Sequence, residues 1–328
     1  MGKGKFMGLA LLLLSSALVL TTCGGGSGGG GGGGTSGGGS ITYTGITAQA
    51  TIDSTNSENL AGGAYKGGAL GSAASLGAIQ KEAVDRPTYL DLALTIEEAI
   101  LHIDVHAPPG IVEAGAIITA SDTIAGDCAG SAGSASFAIQ YNDATGDFSG
   151  TLSFASYCSK GVTLSGGASF SGKVDVNTED FQSFTLSLNN ITTTSGNESF
   201  TVSGSISYNF QASSVTVTMT MFLLDNSKGK IFWINPYNMT LSKGPNYVDF
   251  QVSGRYYHPD YGYVNISTPL SFRVYSGNKW PSQGILILDG KSSTRARLTV
   301  ISSTNYRVEA DTNGDGTYDW NSGTLTWH

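Results

Sequence analysis

Charge is scarce in this chain. Only 13% of its 328 residues are Asp, Glu, Lys or Arg, and 17 basic stand against 25 acidic side chains, a formal net charge of −8. Nucleic-acid binding rests on clustered Lys and Arg that neutralise phosphates, so this balance excludes it, and with it an electrostatic grip on anionic lipid. Histidine is rarer still, at four residues. His102 and His106 stand four apart, but Ile103, Asp104 and Val105 lie between them, without the Glu of a zincin helix. His258 and His328 add no metal spacing. No serine has the strand-turn-helix context of a nucleophile elbow, and no phosphate loop occurs. There is one long apolar run, Phe6 to Leu20. It is shorter than the roughly 20 residues that span a bilayer and suits a signal-peptide core.

Cysteine is nearly absent too, at three residues. Cys23 closes the apolar run, which begins after Lys3 and Lys5. Leu20-Thr21-Thr22-Cys23 resembles the lipobox of bacterial lipoproteins, with Thr22 where Gly, Ala or Ser is commoner. The resemblance covers residues 1–23. It implies that residues 1–22 are a signal peptide and that Cys23 is acylated and becomes the N-terminus. Gly24 follows, not the aspartate of inner-membrane retention, which implies an outer-membrane address. Seventeen basic side chains less Lys3 and Lys5 leave 15 against 25 acidic, a mature charge of −10. Cys128 and Cys158 remain, and in an oxidising compartment they are expected to form a disulfide.

Glycine is abundant instead. Residues 24–40 hold thirteen glycines in seventeen positions. Such a segment has no side chains to bury and behaves as a flexible tether, with a root-mean-square span of about 20–25 Å. Residues 23–40 therefore read as a leash from a lipid to a folded part.

Residues 41–115 form an N-terminal region. ITYTGITAQATI at its start could be one strand. Residues 41–83 are otherwise weakly patterned, and the glycines of NLAGGAYKGGALGSAASLGAI make any helix there marginal. Residues 87–106 carry the strongest helical pattern: Pro87 suits the first turn, and Asp91, Thr95, Glu98 and His102 make one polar stripe. Glu98 and His102 could form an acid–base pair, but no nucleophile accompanies them, and a solvated stripe is the favoured reading.

Residues 116–328 change period. Phe200, Val202, Gly204, Ile206, Tyr208 and Phe210 alternate with Thr201, Ser203, Ser205, Ser207 and Asn209, and Val162 to Phe170, Phe184 to Leu188 and Val215 to Met221 repeat the pattern. Period two means strands with one face buried and one wet. Turn signals recur at 143–146, 195–197, 227–229 and 258–262. The expected fold is mainly β: about twelve to fourteen strands in an antiparallel curved sheet, an open barrel or sandwich-like roll, with one amphipathic helix on its apolar side. GRYYHPDYGYVNIST, PSQGILILDG and EADTNGDGTYDW resemble the closing section of a set of uncharacterised, β-rich exported bacterial proteins, a resemblance that carries no activity.

Two motifs bear on ligands. Asp311, Asn313 and Asp315 with Gly316, then Asp319, match the start of an EF-hand-type calcium loop and resemble the loops of thrombospondin type 3 repeats. Ser322 replaces the bidentate Glu, and a plain hairpin turn is the favoured alternative to a Ca2+ site. Tyr256, Tyr257, Tyr261 and Tyr263 crowd around His258-Pro259, where they either stack on sugar rings or pair with one another across strands. The expected function is a non-enzymatic, lipid-anchored binding or structural lipoprotein of the cell envelope, held to the membrane by its lipid, with a glycan or apolar ligand. The alternatives are a lipid carrier with a half-barrel cavity, as in lipoprotein-sorting factors, and an outer-membrane β-barrel component. Against the latter, strands of fourteen or fifteen residues are not evident.

Overall fold

The computed structural model describes residues 41–76, 117–130, 133–159, 161–178, 180–278 and 280–327. Cys23, the tether and the helix expected over 87–106 lie outside the described residues.

The alternating segments form β1 (Ile117–Ala125), β2 (Ser134–Asn142), β3 (Asp147–Ser159), β4 (Val162–Val174), β5 (Phe181–Ser195), β6 (Glu198–Phe210), β7 (Ser214–Asp225) and β8 (Lys230–Lys243). They continue as β9 (Tyr247–His258), β10 (Gly262–Tyr275), β11 (Gln283–Asp289), β12 (Arg295–Val300), β13 (Asn305–Asp311), β14 (Trp320–Asn321) and β15 (Leu325–Thr326). All fifteen belong to one sheet whose order follows the sequence, with β14 and β15 both pairing β13. Every ladder is antiparallel, and all four expected turns join neighbouring strands. The sheet is mainly antiparallel β as expected and is not closed on itself. The expectation of shorter strands is overturned: β5 has fifteen residues, and β8 and β10 have fourteen. Glycine and bulge positions interrupt the apolar pattern inside these strands, which made each look shorter.

The two faces follow the alternation. Leu152, Phe170, Leu186, Ile206, Met219 and Met239 are buried on the inner face, and Ser and Thr fill the outer one. Inner aromatic rings lie on glycines of the adjacent strand. A Cβ on Gly150 would meet the Phe170 ring at 2.3 Å, and one on Gly172 would meet the Phe148 ring at 2.5 Å.

A line of irregularities crosses the middle of the sheet. Residues are inserted at 155–156 in β3, 189–190 in β5, 235–236 in β8 and 268–269 in β10. Ser156 and Asn190 adopt positive φ there. Opposite these bulges stand Gly204 and Gly254, with φ of 142° and 143°. At Gly254 a Cβ would lie 1.9 Å from the Pro236 carbonyl oxygen. Bulges bend strands and increase their local twist, so a transverse row of them curves the sheet at one level.

A helix, α1 (Ser57–Leu76), packs on the inner face of β8, β9 and β11–β13. The weak pattern over 41–83 is thereby corrected: this segment forms a twenty-residue helix. Its start is built by Asp53, whose Oδ1 accepts the Thr55 and Asn56 amides at 2.7 and 3.1 Å, while Asn56 Oδ1 accepts the Asp53 amide at 3.0 Å. Its glycines cost helix propensity, about 1 kcal/mol each. They are offset by packing, because Gly63 lies under the Tyr256 hydroxyl and Gly67 beside Ile234. Tyr65 fills the space between Phe272 and Trp327, with ring centroids at 5.0 and 4.8 Å.

The segment 41–56 is also not the strand that ITYTGITAQATI suggested. It makes one bridge, Gln49 to Tyr263, and wraps the end of the sheet. The Tyr43 hydroxyl donates to the His258 carbonyl on the outer side, and Ile52 is fully buried on the inner side.

Candidate functional site

The outer face across β2–β9 is a field of hydroxyls and amides. Register places Gln140, Ser149, Ser171, Thr185, Ser207, Thr218, Asn238 and Ser253 in one row perpendicular to the strands. A second row runs through Thr151, Ser169, Ser187, Ser205 and Thr220. Some members bond across strands, as Thr185 and Ser207 do at 3.0 Å. Others keep free lone pairs and rotatable O–H groups, so they can meet either a donor or an acceptor.

Over β2–β5 this face is hollowed. An open hollow of about 380 Å³ is lined by the hydroxyls of Ser149, Thr151, Ser169, Ser171, Thr185 and Ser187 and the amide of Gln140, with Ala138, Gly150 and Phe170 completing it. None of these ten residues carries an ionisable side chain. A serine nucleophile needs a base within hydrogen-bond reach, and the lining offers none. What the lining offers is hydrogen-bond donors and acceptors.

The end of the outer face at β7–β10 is aromatic. Phe222, Trp233, Tyr257 and Tyr263 are cross-strand partners in a single row, and Tyr43 lies over Trp233 and Tyr257 at centroid distances of 5.6 Å each. Burial pushes the Tyr43 phenol up to about 12, with the Tyr257 and Asp260 side chains adding to the shift. Arg255 closes the row, stacked 4.3 Å from the Tyr263 centroid. Of the four tyrosines expected near the turn, Tyr256 and Tyr257 are buried, and Tyr261 stacks on His258 at 4.3 Å. Cross-strand pairing accounts for two of them, since Tyr257 faces Tyr263 directly with ring centroids 5.3 Å apart, whereas Tyr256 lies on the inner face, stacked on Phe232. Neighbouring groups occupy the ring faces: Trp233 stacks on Tyr257, His258 on Tyr261 and Arg255 on Tyr263.

On β10, β12 and β13 four arginines of this face are paired with carboxylates. Arg273 grips Asp249 with two bonds of 2.7 Å, which holds its guanidinium above the ordinary arginine value. Arg297 and Arg307 share Glu309, and Arg295 meets Asp289. These pairs fix cross-strand register more than they bind solvent ions.

The acidic loop after β13 is brought together by its own backbone. Asp311 is buried, and its carboxylate accepts the amides of Gly314 at 2.7 Å and Gly316 at 2.8 Å. Asp319 accepts the Thr312 amide and hydroxyl, and Asp315 accepts the Thr317 amide. These backbone bonds hold the Asp315 and Asp319 carboxyls below the usual range. Asn313 Nδ2 donates to Asp315. Amide donors thus meet the carboxylates, and among the described residues no group of three His, Cys, Asp or Glu is arranged to hold a metal.

Cys128 and Cys158 form a disulfide, with Cα atoms 5.6 Å apart. It joins the loop after β1 to the end of β3, around the β2–β3 hairpin. Asp127 donates its amide to the Cys158 carbonyl at 2.9 Å beside it. No described helix is long and apolar enough to cross a membrane.

The hydroxyl rows were visible in the sequence only as the polar half of each period-two strand. What singles them out is register, which a strand-by-strand reading does not contain. No family, curated protein or solved structure matches this chain.

Proposed function

We propose that this chain is a lipid-anchored, extracytoplasmic binding protein without catalytic activity, and that its outer sheet face takes a neutral, polyhydroxylated ligand of the glycan class. The observation that carries this reading is the hollow over β2–β5, lined by six hydroxyls and one amide with no ionisable group. Sugar hydroxyls both donate and accept, and so do Ser and Thr. Each such bond has a net worth of only about 0.5–1.5 kcal/mol, so affinity comes from several acting together across the rows. The anchor rests on Cys23 at the end of the apolar run and on the glycine leash after it. A loose tether keeps the domain at the envelope while leaving the face free to turn toward its ligand.

The test is an array of neutral oligosaccharides probed with the full chain and with Ser169→Trp, which fills the hollow from an exposed position. We expect binding to some members and at least a tenfold loss in the variant. Absence of binding to any neutral oligosaccharide sinks the ligand reading. The anchor is checked separately: Cys23→Ala should leave the membrane fraction, and a variant that still needs detergent for release sinks that part alone.

A further inference from the structure

An open sheet has two edges, and this one treats them differently. At the C-terminal side β14 and β15 are two residues each, which blunts that edge. At the other side β1 runs for nine residues, Ile-Ile-Thr-Ala-Ser-Asp-Thr-Ile-Ala, with no Pro and no Lys. Among the described residues it pairs with β2 alone. Its end carries Ile117, 66% exposed, the highest value among the exposed large apolar side chains described.

The ladder phase says which groups face outward. The Gly126 amide donates to the Gly133 carbonyl at 3.1 Å, continuing the register in which Ala125 faces Ser134. In an antiparallel ladder hydrogen-bonded pairs alternate with non-bonded ones. Ile118, Ala120, Asp122 and Ile124 therefore direct their N–H and C=O groups to β2. Ile117, Thr119, Ser121, Thr123 and Ala125 direct theirs to the free side. Asp122 Oδ1 accepts the outward Thr123 amide at 2.7 Å, so the middle of the edge is partly guarded by its own side chain.

We propose that β1 is a docking edge for β1 of a second copy of this chain, paired antiparallel about a two-fold axis through Ser121. Three features select that occupant. The register that overlaps all nine residues sets Thr119 against Thr123, Ser121 against itself and Ile117 against Ala125, so outward groups meet outward groups throughout. It also sets Asp122 against Ala120 rather than against a second carboxylate, so no like charges stand directly opposite. The arrangement also closes: each copy uses the one long edge among its described strands, and the blunted one cannot extend the assembly into a fibre. The exposed Ile117 is covered, and the outer hydroxyl face continues through Thr119, Ser121 and Thr123 into the second copy. Forming the pair requires Asp122 to release the Thr123 amide.

Sedimentation equilibrium of the full chain tests this. A monomer–dimer equilibrium is expected. Ser121→Pro deletes an outward donor and leaves the β1–β2 bonds intact, since Pro is tolerated where its missing N–H faces away from the ladder. It should weaken the dimer at least tenfold with little change in melting midpoint. Ser121→Lys is a second probe: exposed and harmless in the monomer, it places two ammonium groups opposite each other in the dimer, and the same weakening is expected. Asp122→Ala, which frees the Thr123 amide, should tighten association several-fold. A chain that stays monomeric up to about 100 μM, or a dimer that survives both Ser121 variants, overturns the proposal.

Discussion

His258 shows how burial acts on one residue. Its ring is buried against Phe232 and Tyr261, and its Nδ1 accepts the Asp260 amide at 3.2 Å, so it is held neutral. Burial, assisted by the Lys230 ammonium and only partly offset by the Asp260 carboxylate, lowers its pKa from 6.5 to about 4. Between those values the unfolded chain binds a proton that the folded chain refuses. Stability from this residue is therefore complete above pH 6.5, falls as pH drops toward 4, and is level below that. The loss amounts to about 2 kcal/mol by pH 5. Urea unfolding of the native chain and of His258→Asn at pH 7 and pH 5 should show the native chain losing more of its stability. An equal loss in both would remove His258 as the cause.

Among the elements, α1 is the informative one, because its glycines do two different things. Gly62 points into open space, whereas a Cβ on Gly63 would sit 2.2 Å from the Tyr256 hydroxyl. Tyr256 is buried and stacked on Phe232 within 10° of parallel, so it cannot swing aside. Gly62→Ala should stabilise the protein by up to about 1 kcal/mol through helix propensity alone. Gly63→Ala gains the same propensity but overpacks the interface, with a net loss of about 1–2 kcal/mol expected. Thermal melts of the two variants check this, and shifts of the same sign in both would show that α1 does not seat on the sheet through Gly63. The strands obey a related rule: Gly254 is held at positive φ under a carbonyl, where any side chain would push β8 and β9 apart.

For the whole molecule, the sheet's weak point is its open beginning. Among the described strands β1 has one neighbour, and its attachment is reinforced by the Cys128–Cys158 bridge to β3. On the loop-entropy account, closing a loop of about thirty residues contributes about 3–4 kcal/mol. Replacing both cysteines by serine should lower the melting midpoint. It should also speed hydrogen exchange at the β2-facing amides of Ile118, Ala120, Asp122 and Ile124 far more than in α1. Uniform acceleration across the sheet would mean that β1 does not open as a separate unit. The rest of the architecture is local, since each strand from β2 to β12 pairs with the strands before and after it in sequence.

The strands, their turns and their two faces were legible in the sequence. An antiparallel strand with one wet side must alternate, and Phe200 to Phe210 does so residue by residue, as do Val162 to Phe170 and Val215 to Met221. The disulfide was legible as well, because two cysteines flanking one hairpin have few other partners. Three features belong to the tertiary structure alone. α1 forms where glycine content argued against a helix, because Gly63 and Gly67 are contact surface and the contact repays their conformational cost. The bulges at 155–156, 189–190, 235–236 and 268–269 fall on one line only once the strands are in register. The hydroxyl hollow has the same origin: Ser149, Ser171 and Thr185 are unremarkable polar positions in three separate strands, and pairing alone makes them neighbours. Periodicity along the chain reports what each strand buries, whereas position across the sheet is set by contacts between segments, to which local sequence is blind.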